Sequence, residues 1–419
     1  MDAPVLPSDS SAAPTKTYSR LVVLSILVAA LGYFVDIYDL LLFSIVRVSS
    51  LKSLGLQGEA VLSTGLMLLN MQMFGMLLGG VFWGILGDKR GRLSVLFGSI
   101  FLYSIANLLN GLVQNVEQYA LLRLIAGIGL AGELGAGITL VSELMPRHSR
   151  GYGTTIIAAV GILGAVVAAF VANLFDWRTS YFIGGGLGLA LLVLRVSLFE
   201  SGMFAKLKES TVSRGNFGML FTNRERTFKY LNCILIGLPI WYVIGILITL
   251  APEFGAALGM KELPTAGNAV KYSYIGLSLG DLCSGLLSQR LRSRRKVVLL
   301  FLGLTAVSVA AYFLFGGQSL FHFYLICGFL GFSVGFWAVF VTMAAENFGT
   351  NIRATVTTTA PNFIRSSVVP LSLLFGASKG SLGMTGSALA LGAMTLLIAG
   401  FSLSRLEETY GRDLDFVET

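Results

Sequence analysis

The chain has 419 residues, of which 55% are hydrophobic and 12% are charged. Because a soluble domain carries about 25% charged residues, this composition excludes an ordinary soluble protein and indicates one that crosses a lipid bilayer many times. The net charge of +8 does not predict nucleic-acid binding, since most basic residues cluster between apolar runs. The three cysteines, Cys233, Cys283 and Cys327, lie within apolar runs and predict neither a disulfide framework nor a metal site.

Twelve apolar segments follow one another along the chain, each about 20 residues or longer and therefore long enough to span a bilayer as a helix. Residues 1–19 precede them and are polar, and we interpret them as a cytoplasmic tail rather than a signal peptide. The segments are 21–48, 60–86, 93–114, 117–145, 152–175, 178–199, 229–252, 266–289, 297–316, 319–345, 356–378 and 384–404. The predicted fold class is an all-α membrane protein with 12 transmembrane helices.

Lysine and arginine residues determine the predicted orientation of these helices. If the N-terminus is cytoplasmic, the segments on that side of the membrane hold 21 of these residues and the outer loops hold 4. Basic residues are retained on the cytoplasmic side during insertion, so both termini are predicted to be cytoplasmic. We expect a multi-pass protein of a bacterial inner (plasma) membrane.

The first segment contains "GYFVDIYDLLLF" at 32–43, which places Asp36 and Asp39 where hydrocarbon is expected. An ionised aspartate at the bilayer centre costs ~2.5–3.5 kcal/mol, so both should face a cavity or a neighbouring helix. Such a carboxylate can take up and release protons, which is what proton coupling requires. The alternative is a fixed ion pair with a base such as Arg123. Tyr33, in the same stretch, is a candidate substrate contact.

The fourth segment places two charged residues within the membrane, Arg123 toward the outer side and Glu133 in the middle. Small residues on the same face of the helix as Glu133 allow another helix to approach closely. Glu133 is therefore either a further proton site or a buried hydrogen-bonding strut. Arg123 can anchor an anionic substrate, or it can hold Asp36 or Asp39.

The longest segment between apolar runs divides the helices six and six, and the two halves resemble each other. Glu143 and Arg150 lie 7 residues apart at the end of the fourth helix, Glu346 and Arg353 lie 7 apart at the end of the tenth, and the offset is 203 residues. Such repeats indicate two six-helix bundles related by a pseudo-two-fold axis, with a site between them. The predicted organisation is a cytoplasmic tail (1–19), an N-terminal bundle (20–199), a cytoplasmic loop (200–226), a C-terminal bundle (227–404) and a second cytoplasmic tail (405–419).

The two matched glutamate and arginine pairs lie at cytoplasmic helix ends. An exposed ion pair contributes under about 1 kcal/mol, so two surface pairs of little consequence are one interpretation. Their equal spacing in both halves favours the other interpretation, a symmetric cytoplasmic gate formed by Glu143, Arg150, Glu346 and Arg353.

The eleventh helix opens with "APNFIRSS" at 360–367, which brings Asn362 and Arg365 into the membrane. An arginine at that depth needs an anionic partner, either the carboxylate of a substrate or a protein acid such as Asp281 or Glu133. Asn362 can both donate and accept hydrogen bonds. The candidate substrate-binding residues are therefore Tyr33, Arg123, Trp241, Trp337, Asn362 and Arg365.

The loop after the second helix, "GILGDKRGR" at 84–92, resembles a signature of the major facilitator superfamily, Gly-x-x-x-Asp-Arg/Lys-x-Gly-Arg. The Gly-Glu, Glu-x-x-Pro and Arg-Gly motifs of the fourth helix, with the Asp-x-x-Asp of the first, resemble its proton-linked metabolite and aromatic-acid symporter branch. The resemblance implies the major facilitator fold and alternating access. It also implies that Gly84, Asp88, Gly91 and Arg92 form a cytoplasmic latch of the outward-open state, for which a solvated basic turn is the alternative.

Together these features predict a secondary active transporter that takes up a small organic anion, a carboxylate metabolite, with protons. The proton-coupling candidates are Asp36, Asp39 and Glu133. An efflux antiporter or an uncoupled facilitator of a small organic solute is the alternative. The sequence contains neither an ATP-binding loop nor a convergent catalytic set, so we expect no enzyme activity, no cofactor and no metal. The expected partners are the bilayer, the solute and protons, without nucleic acid, and we expect a monomer.

Overall fold

The computed structural model describes residues 20–90, 92–133, 150–200 and 217–412, and the regular elements within those ranges are all helices. The all-α prediction is thereby confirmed. The physical reason is that lipid offers no hydrogen-bond partners, so each apolar segment pairs its own backbone N–H and C=O groups by forming a helix.

The described helices follow the predicted apolar segments in order. Those of the first half are α1 (Arg20–Ser53), α2 (Glu59–Arg90), α3 (Arg92–Asn110), α4 (Val116–Leu130), α5 (Arg150–Leu174) and α6 (Trp177–Glu200). Those of the second half are α7 (Arg224–Ile236), α8 (Leu238–Tyr242), a π-helix (Val243–Ile248), α9 (Ala251–Ala257), α10 (Ala266–Arg290), α11 (Arg294–Phe315), α12 (Leu320–Ser333), α13 (Trp337–Glu346), α14 (Thr350–Ser366) and α15 (Val368–Arg405).

Within the described residues, 8 helical stretches are long and apolar enough to cross a membrane. The difference from the twelve predicted spans has identifiable causes. The stretch Thr355–Arg405 joins two predicted spans, and α3 contributes only the shorter apolar helix Val95–Asn110. The fourth predicted span, 117–145, lies partly outside the described residues. The eighth span, α10, is rich in serine and glycine and carries two charged residues in its interior, which makes it less apolar than its neighbours.

Several helices of the second half are interrupted where the sequence weakens the regular hydrogen-bond pattern. Pro239 and Pro252 flank the π-helix between α8 and α9, and each lacks the N–H group that a continuous α-helix needs. Gly383 adopts a φ of 67° inside α15, at the junction of two predicted spans. These interruptions allow one helix to change direction within the membrane-spanning layer.

The break between α12 and α13 lies directly against α10. A Cβ atom at Gly335 would lie 2.6 Å from the Cα atom of Gly280 and 2.7 Å from the backbone nitrogen of Asp281, so only glycine permits this approach. The first turn of α13 therefore reaches the middle of α10, and the Ala338 N–H donates to Asp281 Oδ1 at 3.1 Å. The positive end of a half-helix is thus placed beside a carboxylate in the protein interior.

Polar contacts connect the first-half and second-half helices at several levels. Arg47 Nη2 of α1 lies 2.5 Å from Glu253 Oε1 of α9. Further hydrogen bonds join Ser44 to Thr249, Ser366 to the Met73 carbonyl, Asn362 to the Ala131 carbonyl and Ser372 to Asn70. A movement of one half relative to the other would have to break such contacts, so they indicate which surfaces separate during a conformational change.

Candidate functional site

Two oppositely charged side chains meet at the interface between the halves. Arg365 Nη2 of α14 lies 3.6 Å from Asp36 Oδ2 of α1, and the side chains are 1% and 0% exposed. This distance is a charge contact but is too long for a hydrogen bond. Among the residues that the structure describes, neither oxygen of Asp36 and neither Nη atom of Arg365 has a hydrogen-bond partner. A second carboxylate can therefore compete for Arg365 without first breaking a hydrogen-bonded pair.

Aromatic and acidic side chains surround this ion pair. The Trp337 ring, at the start of α13, lies 5.9 Å from Arg365 Cζ. Tyr33 of α1 is within electrostatic range of Arg365, Asp36 and Asp281, and Tyr274 of α10 is within range of Tyr33 and Arg365. We call this group the central cluster; it consists of Tyr33, Asp36, Tyr274, Asp281, Trp337 and Arg365. Because an arginine beside aromatic rings binds flat carboxylates well, the cluster is suited to an organic anion.

The central cluster contains four of the residues that the sequence singles out, namely Tyr33, Asp36, Trp337 and Arg365. It also contains Asp281, which the sequence offers only as a possible partner of Arg365, and Tyr274, which no sequence pattern distinguishes from the other tyrosines. Asp281 could have been singled out from the sequence, because it is an acid inside an apolar span, which is the feature that singles out Asp36.

A second polar group lies within the first half of the chain. Arg123 of α4 lies over the Phe43 ring at 5.0 Å and donates to the Tyr181 hydroxyl at 3.4 Å. The Tyr181 hydroxyl is 2.7 Å from that of Tyr119. Asp39 of α1 is an electrostatic neighbour of Arg123. This arrangement favours the interpretation in which Arg123 holds an aspartate over the one in which it anchors the substrate.

Glu133 forms a bidentate ion pair with Arg195 of α6, and the two side chains are 1% and 5% exposed. Arg195 Nη1 donates to Glu133 Oε2 at 3.0 Å, and Arg195 Nη2 donates to Glu133 Oε1 and, at 3.4 Å, to the Val28 carbonyl. The pair ties α6 and α1 to the chain just after α4, all within the first half. Of the two interpretations of Glu133, this geometry favours the strut.

We expect Glu133→Gln to destabilise the protein and to leave proton coupling unchanged, because it leaves the buried Arg195 charge unpaired. Breaking a buried ion pair costs about 3–5 kcal/mol, so the apparent Tm in detergent should fall by several degrees. The double variant Glu133→Leu/Arg195→Leu, which removes both charges, should recover most of that loss. If Glu133→Gln kept its stability but lost pH-driven transport, Glu133 would be a proton site instead.

Asn362 and Trp241 lie in the interior but have different surroundings. Asn362 Nδ2 donates to the Ala131 carbonyl at 2.9 Å and to the Thr358 carbonyl at 3.0 Å, so it joins the halves one turn before Arg365. Trp241 is buried in α8, immediately before the π-helix. As substrate contacts, both residues remain predictions.

The predicted cytoplasmic gate lies largely outside the described residues. Gly91 and Glu143 are not described, and the same holds for the side chains of Asp88, Arg92 and Arg150. Gly84 is described in α2, where a Cβ atom would lie 4.0 Å from the Thr359 methyl group of α14. This part of the gate therefore remains a prediction from the sequence.

The second-half gate residues take part in separate contacts. Glu346 accepts from Arg294 Nη2 at 3.1 Å and from Thr409 Oγ1 at 2.7 Å, whereas Arg353 Nε donates to the Ala345 carbonyl at 2.9 Å. Glu408, after the end of α15, accepts from the first backbone N–H groups of α11. Partial burial raises the pKa of Glu408, but hydrogen bonds from Ser293 and the Arg294 N–H outweigh it and hold that pKa below its usual value. Glu346 thus belongs to a network at the end of the second half that includes the chain after α15.

Comparison with known proteins places this chain among transporters. Residues 22–366 match the sequence profile of the Major Facilitator Superfamily. A probable 4-methylmuconolactone transporter of Cupriavidus pinatubonensis is 26% identical over 91% of this chain and 89% of its own length. The 3-(3-hydroxy-phenyl)propionate transporter of Escherichia coli is 28% identical over 78% of this chain and 81% of its own, and the cis,cis-muconate transport protein of Acinetobacter baylyi is 27% identical over 86% and 89%.

Proposed function

Because this chain belongs to the Major Facilitator Superfamily, we propose that it takes up a small organic anion, a carboxylate metabolite, in symport with protons. The family assignment confirms the resemblance seen in the sequence and, with the transporter relatives, makes the protein a transporter and not an enzyme. It is a multi-pass integral membrane protein for which the family implies the twelve-helix fold. Its bacterial relatives agree with the expected inner membrane.

The observation that carries the proposal is the Asp36–Arg365 contact between the halves. Arg365 offers a buried, permanently charged fork that can bind a carboxylate through two hydrogen bonds. A substrate bound there takes the place of Asp36, whose negative charge is then left without a counterion in a site closed to water. A proton on Asp36 removes that charge. Anion binding and proton uptake are therefore linked at a single pair of residues.

The same pair can link binding to the movement of the two halves. Asp36 belongs to α1 and Arg365 to α14, so their contact crosses the interface that alternating access opens and closes. If only the proton or only the substrate binds, one buried charge loses its partner, which costs several kcal/mol. When both bind, Arg365 is paired with the substrate and Asp36 is neutral. The empty and fully loaded states are thus the favoured ones, as a symporter requires.

The substrate class follows from the chemistry of the central cluster. Arg365 selects a carboxylate, and the rings of Trp337, Tyr33 and Tyr274 favour an aromatic or unsaturated carbon skeleton next to it. Carboxylates of this kind appear in the names of two relatives, 3-(3-hydroxy-phenyl)propionate and cis,cis-muconate. The excess of cytoplasmic lysine and arginine supports both termini facing the cytoplasm.

Uptake of 3-(3-hydroxyphenyl)propionate into proteoliposomes containing the full chain tests the proposal. With an inward proton gradient the acid should accumulate above its external concentration, and after a protonophore collapses the gradient it should only equilibrate. The amide of the same acid, which lacks the carboxylate, should be neither transported nor stabilising in a thermal-shift assay. Uptake that ignores the gradient would indicate a facilitator, and proton-driven depletion from the vesicle lumen would indicate an efflux antiporter.

A further inference from the structure

Asp281 is a buried acid in the central cluster that has no role in the exchange of Asp36 for the substrate carboxylate. Its side chain is 2% exposed. Oδ1 accepts from the Ala338 N–H at 3.1 Å, whereas Oδ2 has no hydrogen-bond partner in the part of the chain that the structure describes. A proton on Oδ2 would therefore leave the bond to Ala338, and with it the packing of α13 on α10, intact.

Asp281 also differs from the other buried acids of the described ranges in its partners. Asp36 lies beside Arg365, Asp39 has Arg123 as an electrostatic neighbour, and Glu133 is paired with Arg195. The partners of Asp281 are the backbone N–H groups of Ala338 and Trp337. The half-helix that begins at Trp337 supplies partial positive charge but no full counterion.

The net charge of the central cluster changes when an anionic substrate binds. With Asp36 and Asp281 ionised and Arg365 positive, the central cluster carries a net charge of −1, and a monovalent anion would bring it to −2. One proton on Asp36 restores only the initial charge, whereas a second proton on Asp281 makes the loaded cluster neutral. Neutrality matters because net charge in a layer closed to water costs several kcal/mol.

Among residues 20–90, 92–133, 150–200 and 217–412, few other titratable groups lie near Asp281. Tyr33 of α1 lies close enough to sense both Asp281 and Asp36, and Tyr274 on the same helix as Asp281 senses Tyr33. Four other titratable groups on α10 or on helices near it contact residues outside the central cluster. Glu253 is paired with Arg47, Glu346 is paired with Arg294, Lys271 lies over the Tyr272 ring, and His322 contacts Ser319.

We propose that Asp281 is a second proton-binding residue of the transport cycle, so that two protons accompany each monovalent anion. This inference rests on the proposed function and deepens it, because it determines the coupling ratio. The two carboxyl groups have different roles. Asp36 gives up its contact with Arg365 to the substrate carboxylate and takes up a proton. Asp281 keeps its hydrogen bond from the Ala338 N–H, and only its charge changes. Each cycle would then carry one net positive charge inward, so that transport responds to the membrane potential.

The experiment measures the substrate gradient that stops net flux of 3-(3-hydroxyphenyl)propionate in proteoliposomes, a quantity that depends on coupling and not on rate. At zero potential and a pH difference of one unit, each coupled proton contributes about a factor of ten to this gradient. We expect about 100-fold for the wild type and about tenfold for Asp281→Asn. At equal pH and about 60 mV, negative inside, we expect about tenfold for the wild type and no gradient for Asp281→Asn.

Two further variants complete the test. Ser284→Ala removes a buried hydroxyl of α10 that donates to the backbone carbonyl of Asp281. This variant should behave as the wild type in both conditions. Asp36→Asn/Asp281→Asn, which couples no proton, should reach no substrate gradient from the pH difference, and at about 60 mV, negative inside, it should leave the anion about tenfold less concentrated inside than outside. A wild-type gradient of about tenfold per pH unit without a response to potential would overturn the second proton while leaving symport intact. Binding of a zwitterion that Asp281→Asn abolishes, together with electroneutral wild-type transport of 3-(3-hydroxyphenyl)propionate, would show that Asp281 holds a substrate cation instead.

A measurement without substrate covers the case in which the probe is not transported. Infrared difference spectra of the purified protein in lipid, recorded between low and high pH, report carboxylic acid groups that lose their proton. Asp281→Asn and Asp36→Asn should each remove a different component of the carboxylic acid band, while Ser284→Ala removes none. An Asp281→Asn spectrum identical to that of the wild type would overturn the proposal. Failure of the transport assay alone would count against the proposed substrate.

Discussion

Neutralising Arg365 together with Asp36 should abolish substrate binding while leaving the protein folded. In Arg365→Gln/Asp36→Asn both charges of the central ion pair disappear at once, so neither is left buried without a partner. The substrate carboxylate loses its only cationic contact in the cluster. Truncating one side of a buried charged contact costs about 2–5 kcal/mol, so the Kd should rise about 30-fold or more.

Thermal-shift and calorimetric titrations with 3-(3-hydroxyphenyl)propionate measure this effect. Arg365→Lys is the matched control, since it keeps the positive charge but loses the two-pronged geometry, and it should bind with intermediate affinity. Unperturbed binding by a well-folded Arg365→Gln/Asp36→Asn protein would place the substrate elsewhere, with Arg123 as the next candidate.

Replacing Asp36 by asparagine should tighten anion binding and remove one proton from the coupling. In the wild type the anion binds together with a proton, so its affinity rises as the pH falls, by at least about tenfold per unit. The amide side chain in Asp36→Asn is permanently neutral and never competes for Arg365. The affinity at high pH should therefore increase. The fold-change in affinity for each pH unit should be about ten times smaller than in the wild type.

Binding titrations at several pH values, combined with the flux-reversal measurement, test this outcome. The gradient that balances a one-unit pH difference should fall about tenfold in Asp36→Asn. Asp39→Asn is the matched control one turn along α1, and it should retain the wild-type pH dependence because the basic electrostatic neighbour of Asp39 is Arg123 and not Arg365. Loss of that dependence in Asp39→Asn, with Asp36→Asn unaffected, would transfer the proton to Asp39.

Much of the fold could be predicted without tertiary information. Apolar segments longer than the bilayer is thick must be helical, since only a helix satisfies its own backbone in lipid. The interruption of the α12–α13 helix was harder to foresee. Gly335 is one of 50 glycines in the chain, and its local sequence does not distinguish it from the others. It is distinguished by its close contact with the backbone of α10, which lies in another part of the sequence.

The candidate site divides in a similar way. Asp36, Arg365 and Glu133 stand out in the sequence because ionisable groups in apolar spans are costly and require a reason. Their partners do not stand out. Glu133 and Asp36 look alike as sequence features, yet one is a bidentate partner of Arg195 within the first half and the other a looser contact of Arg365 across the interface.

The sequence by itself determined that this protein crosses the membrane as a bundle of helices, that it resembles the transporter family to which it belongs, and which ionisable side chains lie at bilayer depth. These properties depend on segment length, apolar content and local motifs, all of which are read along the chain. Only the tertiary structure decided which acid meets which arginine, and that Asp281 meets none within the described residues. Pairing depends on how helices distant in sequence are rotated and packed against each other, and hydropathy along one segment does not determine that rotation.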